Sequence, residues 1–175
     1  MRFIVLLSPQ SKSFVECIQA KILSGDLLER AVANLRVLGR SIATLNGSFD
    51  LLHAGHLEMI YQASLQADVL IVGLNTDDSI KRYKSPLRPI IPLEYRLQMM
   101  ASLQMVDYVS WFEEVDPIAW LERIRPDVHV NGSEYGSDCV EADVVRRYGG
   151  RIHIVPLVSG LSTSNIIRKI KEVCA

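Results

Sequence analysis

At 175 residues, 49 % of them hydrophobic, the chain suits one globular domain with a filled core and is short for several. Lysine and arginine (19) nearly balance aspartate and glutamate (20), so bulk charge gives no sign of a nucleic-acid or membrane partner, and any anion site has to be local. No stretch approaches the roughly 18 apolar residues of a membrane helix, and Cys17, Cys139 and Cys174 are odd in number and far apart, unlike a disulfide framework or metal ribbon.

The opening "MRFIVLLSPQ" has a basic residue and an apolar run, but the run is shorter than a secretory core and lacks a small-residue cleavage site. Reduced thiols and a cytoplasmic location are therefore expected. "RFIVLL" can add an edge strand. The next stretch, "FVECIQAKILSGDLLERAVANLRVLG", reads as one or two helices broken near Ser24-Gly25, so residues 1–40 are expected to be an N-terminal helical extension to a domain over 41–175.

From there strands and helices alternate. "SIATLN" (41–46) is a buried strand, followed by an amphipathic segment over 54–66, then the strand "ADVLIVGL" (67–74). A helix over 92–103 carries Pro92 near its first turn, and the strand "VDYVSW" (106–111) follows. A helix over 116–124, opened by Asp116 and Pro117, leads to the strand "DVHVNG" (127–132). The segment from about 137 to 148, closed by Gly149, leads to "RIHIVPL" (151–157), and a last helix begins at "STSN" (162–165). Strands joined by helices of this length imply right-handed βαβ units: an α/β, Rossmann-like fold with a five-stranded parallel sheet and helices on both faces. Ligands in such sheets sit at the carboxyl ends of the strands.

"NGSFDLLHAGH" (46–56) occupies such a strand-to-helix turn. Gly47 lets backbone approach a ligand closely, and the free N–H groups at the helix start form an anion site. His53 and His56, three apart, project from the same face of the first turn. Three readings stay open on the residues alone: a zinc pair, for which no third ligand is evident; two packed helix residues; or donors to phosphate oxygens. A dinucleotide site is disfavoured because no G-x-G-x-x-G follows the strand.

"GSFDLLHAGH" resembles the G-x-F-D-x-x-H-x-G-H signature of the cytidylyltransferase-like nucleotidyltransferases, distant relatives of class I aminoacyl-tRNA synthetases. Residues 73–109, "PDVHVNGSEY" (126–135) and "GLSTSNIIRKI" (160–170) resemble further segments of that family, so the likeness covers most of the chain after residue 40. Within it, "NTDDSIKRYK" with "RPIIPLEYR" and the lead-in "AKILSGDLLERAVANLRVLGRSIATLNG" resemble the adenylyltransferase domains of ADP-heptose synthases. No kinase segment accompanies them here, which implies the free-standing version of a domain that many bacteria fuse to a sugar kinase.

The resemblance implies transfer of AMP from ATP to heptose 1-phosphate, releasing pyrophosphate, with Mg2+ on the triphosphate held mostly by phosphate oxygens and water, and no dedicated metal ligands. It also implies a homodimer or higher homo-oligomer. His53, His56 and Lys84 take the catalytic roles, with Lys81 near Lys84. Asn46, Gly47, Ser48, Phe49, Arg96, Asn131, Gly132, Ser162, Thr163 and Ser164 bind the nucleotide, and Asp50, Asn75 and Asp77 lie near the acceptor or the ribose. Bland roles compete at several of these: a solvated loop at Lys84, an exposed helix residue at Arg96, a helix cap at Ser162 or Thr163, and turn closure at the aspartates. One departure stands out, because the heptose branch reads V-K-G-G-D-Y where this chain has "VNGSEY", placing Asn131 at a lysine position. The alternatives are a CTP-dependent enzyme acting on glycerol 3-phosphate or a similar polyol phosphate, and a nucleotide-binding module with weakened turnover. Absence of the arginine that precedes the closing motif in glycerol-3-phosphate cytidylyltransferases argues against the first.

Overall fold

The computed structural model describes residues 13–156 and 160–174, so the expected strand at "RFIVLL" lies outside the described residues. Two helices lead in. Ser13 caps α1 (Phe14–Gln19): its hydroxyl accepts from the Glu16 N–H while its own N–H donates to the Glu16 carboxylate, a capping box. The break expected at Ser24-Gly25 is the start of α2 (Gly25–Val37), with Ser24 as N-cap.

Between these helices Lys21–Leu23 runs along a sheet edge. The Leu23 N–H donates to the Val109 carbonyl and the Val109 N–H to the Lys21 carbonyl, both at 2.8 Å. A short piece of the lead-in thus covers backbone groups that an open edge leaves unpaired.

Five parallel strands follow, β1 (Ile42–Gly47), β2 (Val69–Asn75), β3 (Tyr108–Phe112), β4 (Val128–Gly132) and β5 (Arg151–Val155), in the order β3-β2-β1-β4-β5. The central strands read as near-continuous apolar runs because both faces are covered, and every residue of β2 is buried. On one face, Ala43, Leu45, Leu70 and Val72 pack with Ile18 of α1, Ile60 and Ala63 of α3 (Ala54–Ser64), and Leu97 and Met100 of α5 (Leu93–Ala101). On the other, Ile42, Val69 and Ile71 pack with Leu28, Val32 and Leu35 of α2, Trp120, Leu121 and Ile124 of α6 (Ile118–Ile124), and Val144 and Val145 of α7 (Ala142–Arg147). Gly73 has no side chain because the Trp120 ring lies where one would go, 2.7 Å from an ideal Cβ.

Two elements depart from expectation. The stretch "TDDSIKRY" forms α4 (Asp77–Tyr83), with the Thr76 hydroxyl accepting from the Ser79 N–H, acids in its first turn and bases in its last. The segment 137–148 is helical only over α7, since residues 133–141 form turns that bound a cavity. The last helix, α8 (Thr163–Cys174), starts where "STSN" places it.

Candidate functional site

A cavity of about 580 Å³ opens at the carboxyl ends of β1, β2 and β4. Strand order reverses between β1 and β4, and an open α/β sheet offers its ligand crevice at such a switch point. The structure brings Asn46, Gly47, Ser48, Phe49, His53, His56, Asn75, Lys84, Asn131, Gly132, Ser162, Thr163 and Ser164 into its wall.

His53 is the N-cap of α3, and its Nδ1 accepts from the His56 N–H at 3.4 Å. That bond gives the lone pair to Nδ1 and the proton to Nε2, which is buried and has no partner; His56 Nδ1 is buried and unpartnered as well. The rings stack with centroids 3.8 Å apart. Burial holds His53 below the ordinary histidine range. For His56, burial, then the proximity of His53 and Lys84, bring the pKa down to about 4, against an opposing pull from the Leu51 carbonyl.

Local sequence fixes this arrangement. An ideal Cβ on Gly55 would stand 3.1 Å from His53 Nδ1, a tight contact, so glycine lets the ring sit there without shifting. Phe49 adopts φ of 45°, places its ring against Gly47 and meets the edge of His56 at 5.2 Å between centroids. Across the cavity the Ser162 hydroxyl accepts from the Asn165 N–H and caps α8, whose first residues line the wall. Two helix N-termini and two histidines therefore present donors and positive dipole to one volume.

Lys84, the C-cap of α4, donates to the Ser48 hydroxyl at 2.8 Å. Partial desolvation, then the charge of Arg88, lower its pKa from the usual lysine value. Lys81 points elsewhere, paired with Asp78 at 2.9 Å.

Three expected site residues stand behind the wall. Arg96 is 1 % exposed, and its guanidinium donates to the carbonyls of Ile91 (2.9 Å), Ser48 (2.6 Å) and Asn75 (2.9 Å) and to the Asp77 carboxylate (2.7 Å). With those bonds made it holds the ends of β1 and β2 and does not line the cavity. Asp77 is the partner in that set and also accepts from the Leu93 N–H. Asp50, fully buried, accepts from the N–H groups of Ile90 (2.8 Å) and Ile91 (2.9 Å) and from Arg88 Nε (2.6 Å). Burial opposes its charge, but these donors outweigh burial and hold the carboxyl below its usual range. Asp50 thus ties the loop after Lys84 to the histidine segment.

On the β4 side Asn131 is 5 % exposed and its amide donates to the Glu141 carboxylate at 3.2 Å. Tyr83, Asp116, Glu134, Tyr135, Glu141 and Leu161 also line the wall, and none was among the expected site residues. Among the described residues no group of three or more His, Cys, Asp or Glu is arranged to hold a metal ion, and no helix is long and apolar enough to cross a membrane.

This sheet order, with a donor-lined cavity at its switch point, is that of an α/β nucleotidyltransferase-like fold. Within that class the chain belongs to the cytidylyltransferase-like family, whose model matches residues 44–169. It is similar to the bifunctional protein HldE of Trichlorobacter lovleyi, 42 % identical over 154 residues that cover 87 % of this chain and 31 % of that protein. The chain thus spans about a third of the length of this curated relative. In fold it is similar to a lipopolysaccharide core biosynthesis protein from Thermoplasma volcanium (TM-score 0.56, 24 % identity, 69 % of this chain and 98 % of that one). It is also similar in fold to a pantoate-beta-alanine ligase from Francisella tularensis (TM-score 0.52, 17 % identity, 86 % and 79 %).

Proposed function

We propose that this protein transfers AMP from ATP to a sugar 1-phosphate of the heptose type, giving the ADP-sugar and pyrophosphate. One observation carries the reading: His53 Nε2 and His56 Nδ1 are buried, unpartnered and set against the start of α3, in the same cavity as Lys84 and the start of α8. Buried polar groups without partners are rare, and a cluster of them in a cavity wall fits a ligand that supplies the missing bonds. Similarity to HldE over most of the chain, and the heptose-branch segments at 75–96, support the acceptor.

An oxygen of the sugar phosphate attacks the α-phosphorus; the new P–O bond forms as the bond to the β-phosphate oxygen breaks, and pyrophosphate leaves with the electron pair. The nucleophile is already an anion, so no protein base is needed. Positioning and charge stabilisation carry the rate. His53 donates through Nε2 to the phosphates, and His56 does so as its ring takes up a proton beside them. Lys84 reaches the phosphates from its place on Ser48, and the N–H groups at the start of α8 hold the distal end of the triphosphate. Magnesium suits this donor set as an ion carried on the triphosphate, where it neutralises phosphate charge; phosphate oxygens and water would be most of its ligands. We place the reaction in the cytoplasm.

Pyrophosphate release measured with ATP and CTP, each against heptose 1-phosphate and glycerol 3-phosphate, tests the reading. Turnover is expected for ATP with heptose 1-phosphate. Turnover confined to CTP with glycerol 3-phosphate would replace it, and no release with any pair would refute it.

A further inference from the structure

The cavity is chemically two-ended. The histidine end presents donors, whereas the β4 end presents acceptors. Glu141, 6 % exposed, accepts the 3.2 Å contact from Asn131 and lies in hydrogen-bonding reach of the Cys139 thiol, a weak donor, and no lysine, arginine or histidine forms an ion pair with it among the described residues. Asn46, one register step beyond the Leu45–Val130 pair and so beside Asn131, has a buried Oδ1 with no partner. Glu134 folds over Gly132 in the same wall. A shielded carboxylate with no charged partner, held only by an amide and a weakly donating thiol, and a neighbouring orphan carbonyl are short of strong donors, and a phosphate has none to give.

We propose that Glu141, with Asn46 and Asn131, is a specificity-determining corner that accepts hydrogen bonds from sugar hydroxyls of the substrate. The inference rests on the nucleotidyltransferase reading, since phosphates at the donor end turn the hydroxyl-bearing part of the same molecule, or of its co-substrate, toward β4. Two molecules supply such hydroxyls, the ribose of the nucleotide and the acceptor sugar. Glu141 is also suited to mutation: it precedes α7 without making a side-chain cap bond, so its removal takes no cap from the helix.

Calorimetric titration of the full chain and of E141A with ATP, 2′,3′-dideoxy-ATP and inorganic tripolyphosphate tests the proposal. A hydroxyl bonded to a charged acceptor is worth about 10- to 100-fold in affinity. The unaltered chain is expected to prefer ATP over the dideoxy nucleotide by that factor, E141A to bring the ratio near one, and tripolyphosphate to bind both chains equally. A nucleotide ratio that E141A leaves unchanged, with a KM ratio between heptose 1-phosphate and its 2-deoxy analogue that it collapses, would assign the corner to the acceptor. Tripolyphosphate binding with both ratios unchanged in E141A overturns the corner alone. Failure of the unaltered chain to bind tripolyphosphate overturns the functional reading with it.

Discussion

The imidazoles of His53 and His56 lie almost parallel, their planes 19° apart. Stacked rings at this distance resist carrying two charges, and both sites are depressed already. The free protein therefore holds two neutral rings at pH 7, and a triphosphate brought against them favours their protonation. Replacing either histidine by alanine is expected to lower kcat by about 100- to 1000-fold, as removal of one preorganised donor does, in a pyrophosphate-release assay. Calorimetry in buffers of different ionisation enthalpy should show proton uptake on nucleotide binding near pH 6, and H56A should show less of it.

Gly55 makes room for this stack. G55A puts a methyl group 3.1 Å from His53 Nδ1, and the ring has to tilt. A fall in kcat of at least about 10-fold is expected, with unfolding free energy lowered by no more than about 1–2 kcal/mol, since a small misplacement costs much in phosphoryl transfer and little in packing. Urea melts beside rate measurements separate the two effects; equal activity in G55A would show that the ring position is not critical.

Lys84 and Lys81 share a helix and differ in placement. K84A removes the ammonium held on Ser48 and should lower kcat by about 100-fold or more. K81A breaks an exposed, solvent-screened pair with Asp78 and should leave turnover within about twofold. Similar losses in both variants would point to general electrostatic attraction instead of a positioned group.

Arg96 is expected to act through the fold. R96A leaves the carbonyls of Ser48 and Asn75 and the Asp77 carboxylate without their donor, and breaking such a buried set costs about 3–5 kcal/mol. Chemical denaturation measures it. A variant that kept its stability and lost only nucleotide affinity would return Arg96 to the phosphate site.

His129 gives the fold a pH dependence separate from the site. It is fully buried, bonded through Nδ1 to the Thr44 hydroxyl at 2.8 Å, and burial lowers its pKa to about 3. The unfolded chain takes up the proton near pH 6.5 and the native chain does not. Stability is therefore fully present above pH 6.5 and is lost as pH falls toward 3, by about 1.4 kcal/mol per unit for this group. H129N should flatten the slope of unfolding free energy between pH 5 and 6.5; an unchanged slope would place its origin in other groups.

The contiguous part of the cavity wall was legible in the sequence. Asn46 to His56 report their own geometry, because a strand end, a glycine turn and a helix start follow one another in the chain. "STSN" was legible for the same reason, and its capping role and its place in the cavity wall prove compatible. The inward turn of Arg96 was not legible, because its position on a helix after the lysine loop says nothing of which way the side chain turns; it turns toward carbonyls 21 and 48 residues away. Glu141 and Tyr135 carried no periodic signal: Glu141 lies in a turn where a helix was expected to have begun, and Tyr135 in the turn that follows β4. The helix α4 was overlooked although Thr76, two aspartates and a basic last turn mark it, because the flanking lysines drew the stretch into the reading of a loop.

Asp50 joins residues that the sequence keeps about forty positions apart: Arg88, Ile90 and Ile91 all bond to it, while Lys84 reaches back to Ser48 over a similar span. Closures of that length come after local helices in the order of folding, since loop entropy has to be overcome first. A refolding chain will thus regain its helical circular dichroism before its site exists. Recovery of turnover, rather than recovery of ellipticity, is the clock that marks arrival at the native state.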